Sequence, residues 1–451
     1  MNTIASSLEL VGPDHPYYAE ACRLHNGMHQ PRPAVVARCS GPGDVAAALD
    51  HARTAGLRVS VRGGRHHVAG HAVVDGGLVI DTSPMKDVAV DPAARTVRVG
   101  AGVLWGELDA ATQAYGLAVT GGRDSTTGVV GQALGSGSGW LERRFGLTGD
   151  HLLAAELVTA DGRFVRATTE TEPELFWAIR GAGANFGAIT ALELRLHPVG
   201  PVVYGGMLVW DGSDPAAILR GWRDVNAAAD WALGTAPALI TAPPAPFVPE
   251  ELRGRPAVGM FVCWSGDPAA GEEACAPLRA IAPPAVDLLG PMPYTEVQKI
   301  IEPTAPWGLR AYWKAESVRV LTDAAIDTLV AAHASCPSPL TAVVIEPKAG
   351  AIAQLPEDAT AIGGRDASDT WYAFSAWDDP ADDEVNIAWT RELAAAMNRF
   401  GMPAIALNFL DTDEGSRART AFGAEKYERL RRIKRAWDPE NVFSSCANIA
   451  P

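Results

Sequence analysis

Long apolar runs, paired cysteines and a surplus of basic charge are all missing from this 451-residue chain. No apolar stretch reaches the roughly eighteen residues that a membrane-crossing helix needs, so no membrane partner is expected. The first ten residues, Met1 to Leu10, have neither the basic start nor the apolar core of a standard secretory leader. The six cysteines, Cys22, Cys39, Cys263, Cys275, Cys336 and Cys446, are scattered without a C-x-x-C pair. That argues against a thiolate zinc site or a disulfide framework, and the expectation is a cytoplasmic protein. With 38 basic against 53 acidic side chains the net charge is −15, whereas nucleic-acid binders present a basic face. The local basic cluster from Arg429 to Arg435 has the spacing of a solvated helical face. Internal repeats and low-complexity tracts are also missing.

What is present is a chain that is 47% hydrophobic and 20% charged, enough for a sizeable core. Domains usually hold about 100–200 residues, so two or three are expected. Up to residue 200 short strands and helices alternate. Ala34–Arg38, Leu57–Val61, Leu78–Asp81 and Thr96–Val99 read as strands, and Asp44–Ala55 and Leu104–Tyr115 as helices. Leu153–Thr159 and Phe164–Ala167 flank an Asp161-Gly162 turn and read as a hairpin, with Ile189–Leu196 as a further strand. Beyond Pro201 the texture changes. Strands near Val203–Trp210, Val258–Trp264, Ala342–Ile345 and Trp371–Ala376 are separated by helices near Pro215–Ala229, Ala269–Ala280, Asp323–Ala334 and Glu384–Arg399. This is the pattern of an antiparallel sheet covered by helices, and the proline-rich tract Ala242–Pro249 reads as loop. The predicted division is residues 1–200, 201–404 and a C-terminal segment 405–451, an α+β chain.

Chemistry concentrates in two glycine-rich segments. The first is Arg62-Gly63-Gly64-Arg65-His66-His67; the second runs from Gly128 through Gly131, Gly135 and Gly137 to Gly139, shortly after Gly121-Gly122. Successive glycine N–H groups can form a concavity for phosphate oxygens, with Arg62 or Arg65 as charged partner. A lone Gly-Gly is more often a tight turn. The second segment is too glycine-dense for that, because each interior glycine costs roughly 0.5–1 kcal/mol relative to alanine. A Rossmann site is rejected: Gly181-Ala-Gly183 and Gly187 have the wrong offset and stand between a helix and a strand, the reverse of the required order. His66, His67 and His71 lie in a glycine loop without helical periodicity, so no metal site is expected.

Together these blocks resemble the FAD-linked oxidases of the berberine bridge enzyme type, within the vanillyl-alcohol oxidase superfamily, and bacterial members most. The resemblance rests on Arg62 to His66, Asp75-Gly-Gly-Leu-Val-Ile-Asp81, Gly121-Gly122, Thr127 to Gly131, Gly139-Trp140-Leu141 and Phe145 to Thr148. Leu175 to Gly181, Asn185-Phe186-Gly187, Tyr427 to Leu430, Asp438-Pro439 and Asn448-Ile449 extend it over nearly the whole length. It implies a two-domain FAD-binding fold of the vanillyl-alcohol oxidase type, with an antiparallel-sheet substrate domain over the flavin. Arg62, Gly63, Gly64, Arg65, His66, His67, Gly121, Gly122, Ser125, Gly128, Gly131, Gly135, Gly139, Trp140, Gly187, Ile189, Cys446 and Asn448 would contact FAD. His66 would carry a covalent bond to the flavin. Asp124 stands where doubly linked relatives have cysteine, so a single linkage is predicted.

This sequence departs from the family at three places. Arg65 replaces a common glycine, Cys446 a common asparagine, and Ala406-Leu407-Asn408 stands where many members have Tyr-x-Asn with a basic tyrosine. Asn408 remains as an orienting hydrogen-bond partner. Tyr312, Lys314, Glu346 and Tyr372 are the candidates to replace the lost base, each with the plainer reading of a satisfied structural polar group. The expected activity is oxidation of a small, multi-ring, secondary-metabolite-type substrate with dioxygen as final acceptor, by a monomer or homodimer. The alternatives are a redox-neutral cyclase that keeps FAD as scaffold and a catalytically silent flavin-binding protein.

Overall fold

The computed structural model describes residues 8–414, 417–444 and 447–451. Cys446 lies outside them. Three β-sheets carry the architecture. Val35–Arg38, Leu78–Asp81 and Val59–Arg62 pair in parallel, with Glu9–Val11 antiparallel at the edge. The helix Pro42–Ala55 makes the crossover; proline pre-set for the first helical turn opens it, and left-handed Gly56 closes it. A second, antiparallel sheet orders Val88–Asp91, Thr96–Gly100, Ala188–Arg195, Leu152–Val158 and Phe164–Ala167. The hairpin around Asp161-Gly162 is its outer edge.

The third sheet is the largest, eight antiparallel strands including Val202–Asp211, Pro256–Trp264, Leu233–Thr241, Ala342–Pro347, Asp369–Trp377 and Arg310–Val318. Side chains alternate across it. Val343, Ile345, Trp371 and Ala373 pack under the helices Pro215–Ala228, Asp323–His333 and Asp383–Met397, against Leu219, Trp222, Ile326, Leu329 and Leu393. Val344, Glu346, Tyr372 and Phe374 project from the opposite face. The strand Leu233–Thr241 escaped the sequence reading because Pro237 sits at its centre and Gly234 near its start. On one side it pairs along its whole length with Pro256–Trp264; on the other only Ala238 and Leu239 are paired, which accommodates the missing N–H of proline.

The chain's end returns to the two small sheets. Arg417–Trp437 is helical with a kink at Gly423, and Arg429 pairs with Glu174. The solvated reading of its basic cluster needs correction at Lys434, which is 0% exposed. Its ammonium is satisfied by Asp438 at 2.7 Å, the Asn185 carbonyl at 2.6 Å and the Phe443 carbonyl at 2.8 Å. Asn185 also accepts the Ile449 N–H at 3.1 Å, so one residue ties helix and tail to the second sheet. Among the described residues no helix is long and apolar enough to cross a membrane.

Candidate functional site

Both glycine segments arrive at one place. Gly63 and Gly64 follow the parallel strand Val59–Arg62, and Gly128 opens a short helix, Val129–Gly135, where the sequence suggested loop. Their backbones touch: a Cβ on Gly64 would fall inside Gly128, and one on Gly128 inside Gly64. Together with Arg65, His66, His67, Gly122, Gly131, Gly135, Trp140 and Ile189 they form the floor of a cavity of about 1180 Å³. Ligand pockets usually measure about 300–1,000 Å³, so there is room for more than one bound group.

Several residues expected at this floor lie elsewhere. Arg62 is buried beside Asp81 at 3.5 Å and donates to the Ala21 carbonyl, bracing the N-terminal segment. Gly121 and Gly139 pack on each other and on Trp105, where side chains would collide. Gly187 abuts Leu157 and Val158, Ser125 donates its N–H to Glu302 at 2.7 Å, and Asn448 does not line the cavity. The glycine density thus serves loop-on-loop packing as well as a ligand. Arg65 keeps the left-handed backbone (φ 66°) that favours glycine and turns its guanidinium to Glu20 and the face of Trp307.

His66 is enclosed by aromatic rings. His25 stacks on it at 4.2 Å and Trp307 meets it edge-on at 5.3 Å. Its Nε2 lies 2.7 Å from Thr126 Oγ1. Burial, reinforced by His25 and Arg65, holds its pKa well below the ordinary imidazole value, so the ring is neutral at pH 7. His67 is likewise lowered by burial, with Nε2 3.3 Å from the Leu407 carbonyl. One atom each of His25, His66 and Asp124 lie within 4.8 Å of one another, a grouping the sequence did not suggest.

The roof is the exposed face of the large sheet. Met207, Ala236, Phe261, Val344 and Phe374 make it apolar, and Trp313, Tyr372 and Phe409 form an aromatic stack with centroids 5.3–6.2 Å apart. Into this surface projects Glu346, buried and hydrogen-bonded by Arg123, by Tyr372 at 3.3 Å and by Lys348 at 3.3 Å. Arg123 also stands 3.5 Å from Glu142 and over the Trp140 ring. Burial alone would raise the Glu346 pKa; Arg123 and Lys348 outweigh it and leave the carboxyl below its ordinary value. Burial and the adjacent Glu346 charge push Tyr372 well above 10, so it remains a donor. Glu142, buried beside the same cations and repelled by Glu346, is raised.

Strand alternation removes two other candidates. Trp313 faces the cavity, so its neighbours Tyr312 and Lys314 point to the helix side. Tyr312 donates to Asp413 at 2.7 Å, and Lys314 binds Asp413 at 2.6 Å and Glu414 at 3.1 Å. Arg123 went unnoticed in the sequence although it directly follows Gly122, because its partner Glu346 lies 223 positions on. Asn408 does line the cavity, its Nδ2 donating to the Gln132 carbonyl at 3.3 Å.

Among the described residues, four polar atoms of cavity-lining side chains are buried without a hydrogen-bond partner: Asn408 Oδ1, Gln132 Oε1, Trp313 Nε1 and Arg123 Nε. Buried polar groups rarely stay unpaired, so these two acceptors and two donors fit a bound group carrying both. Such a set suits the carbonyl and N–H edge of a flavin ring, and the glycine N–H groups suit a pyrophosphate.

Comparison with known proteins agrees. An FAD binding domain model matches residues 33–168, and a berberine and berberine-like model matches 407–450. (R)-6-hydroxynicotine oxidase of Paenarthrobacter nicotinovorans is 30% identical over 98% of this chain and 96% of its own. An uncharacterized FAD-linked oxidoreductase of Bacillus subtilis, YgaK, is 28% identical over 98% and 96%. The crystal structure of 6-hydroxy-D-nicotine oxidase from Arthrobacter nicotinovorans superposes with a TM-score of 0.87 at 28% identity, covering 99% of this chain and 98% of that one.

Proposed function

The chain belongs to the berberine-like FAD-linked oxidoreductases, and from that membership we propose that it oxidises a largely apolar, ring-containing small molecule at a carbon bearing a hydroxyl or amine. The observation that carries this reading is the pairing of a backbone floor with a buried, cation-held carboxylate, Glu346, in an otherwise apolar roof. FAD bound at the floor would supply the hydride acceptor, with dioxygen as the final oxidant. The remaining work falls to side chains. Trp313, Phe374 and Phe409 would sandwich a flat substrate and exclude water. Glu346, held ionised by Arg123 and Lys348, would take the proton that the substrate's O–H or N–H releases as its C–H bond breaks. Tyr372 would fix the carboxylate by donating to Oε1. This assigns to Glu346 the base role vacated by tyrosine at Ala406.

His66 would hold FAD by one covalent bond, consistent with its neutral ring beside the floor glycines. After acid precipitation the yellow colour should stay with the polypeptide, and His66→Ala should release it; a yellow wild-type supernatant removes the linkage. The activity is tested by anaerobic mixing with candidate phenolic, alicyclic or heteroaromatic alcohols and amines. Bleaching of the flavin is expected. Product formed without bleaching would favour the redox-neutral reading, for which the missing tyrosine hydroxyl at Ala406 speaks.

A further inference from the structure

The hydrogen bonds around Thr126 determine which nitrogen of His66 is free to react, a deduction that rests on the covalent reading above. Thr126 Oγ1 has three neighbours: Asp124 Oδ1 at 2.7 Å, His66 Nε2 at 2.7 Å and Trp307 Nε1 at 3.3 Å. A hydroxyl offers one hydrogen and two lone pairs, a carboxylate only accepts, and an indole N–H only donates. The Thr126 hydrogen therefore goes to Asp124, and one lone pair receives the Trp307 N–H. The other lone pair must meet a donor, so His66 carries its hydrogen on Nε2. With the hydrogen on Nε2, Nδ1 is the ring nitrogen that keeps its electron pair. Asp124 is itself anchored, accepting the Thr126 N–H at 2.8 Å. His25, stacked on the His66 ring, has its Nε2 3.0 Å from the Ala305 carbonyl and so takes no part in this chain.

We propose that Asp124 and Thr126 are the positioning residues for flavin attachment: they hold the His66 hydrogen on Nε2 and carry that proton away as the other ring nitrogen bonds. In this step Nδ1 forms a bond to the flavin 8α-carbon as that methyl group gives up one proton to solvent. The Nε2 proton passes to Thr126 Oγ1 while the Thr126 hydroxyl proton passes to Asp124, leaving a neutral linked imidazole. The two electrons released enter the flavin and leave it on dioxygen. One hydrogen from the methyl and one from the imidazole thus end in hydrogen peroxide, and the oxidised cofactor is restored.

The test follows attachment rather than turnover. Full-length protein is purified at intervals after induction, and the flavin retained by the polypeptide after acid precipitation is compared with the total bound. Asp124→Asn and Thr126→Val should bind FAD yet attach it roughly 10²-fold more slowly, the low end for loss of a general base, and Thr126→Ser should restore the rate. NMR of the histidyl-flavin released by digestion of the wild type should show the Nδ1 isomer. An Nε2 isomer overturns the proposal, as does wild-type attachment in both Asp124→Asn and Thr126→Val. If Asp124→Asn fails to take up FAD, the Thr126→Val and Thr126→Ser pair decides alone. A wild type that releases all its flavin in acid, or holds a metal ion at His25, His66 and Asp124 instead, defeats the covalent reading and this inference together.

Discussion

Floor and roof of the cavity are made of opposite materials. The floor is built around bare backbone, where Gly64 and Gly128 meet so closely that neither tolerates a Cβ. The roof is side chain: an apolar sheet face with one hydrogen-bonded carboxylate held by Arg123, Lys348 and Tyr372. A floor of N–H groups can hold the same phosphate-bearing cofactor whatever the substrate, because backbone geometry does not vary with side-chain identity. A roof of alternating side chains can be retuned one residue at a time without disturbing what lies beneath.

That contrast is breakable, and the largest effect is expected at the floor. Gly128→Ala pushes a methyl into the backbone of Gly64, and overpacking against an unyielding neighbour costs about 1–3 kcal/mol or more. The protein should come out colourless or insoluble, read by flavin absorbance per polypeptide; a normally yellow variant would deny the close approach. At the roof, Glu346→Gln should lower turnover about 10²–10⁴-fold while flavin content stays normal, the range for a lost general base. Equal activity would return Glu346 to the structural polar groups. Tyr372→Phe removes one hydrogen bond to a charged acceptor, about 1.5–3 kcal/mol, and should cost roughly 10–10²-fold in kcat.

A smaller effect belongs to the seam between floor and roof. Asp109, on the helix Trp105–Gln113, is fully buried against Gln298, and burial raises its carboxyl to about 7. The folded protein keeps this proton where the unfolded chain, near about 3.9, has lost it. Stability from this group is therefore complete at acid pH and declines as pH rises through about 7. Melting temperatures between pH 5 and 8 should fall less steeply for Asp109→Asn than for the wild type; parallel curves would contradict the assignment. Least of all should happen on the far face of the sheet. Tyr312→Phe removes hydrogen bonds to Asp413 and Arg391 on the side away from the cavity, and since none of the three lines the cavity, turnover should stay within about twofold.

Much of the floor was legible and little of the roof was. Glycine is its own signal, so both segments could be read as backbone approaching something. Even so, Gly121, Gly139 and Gly187 could not be distinguished from ligand-facing glycines, because packing on Trp105 or Leu157 demands the same missing Cβ. Of the candidates on the strands, Glu346 and Tyr372 reached the cavity while Tyr312 and Lys314 did not. All four had equal claim by residue type, and a one-residue offset in strand register decides the face. Lys434 looked like one more solvated lysine until Asp438, Asn185 and Phe443 closed around it.

Chain order alone pointed to the α+β character and to the stretches that must stay bare, because glycine and periodicity are local properties written along the polymer, and the resemblance of those stretches to a known family implied the cofactor class. The place of the buried carboxylate Glu346 in the cavity was settled only on folding. Arg123 meets Glu346, and Asp109 meets Gln298, across separations of 223 and 189 residues. Neighbours at such distances are chosen by sheet register and helix docking, which no local pattern encodes.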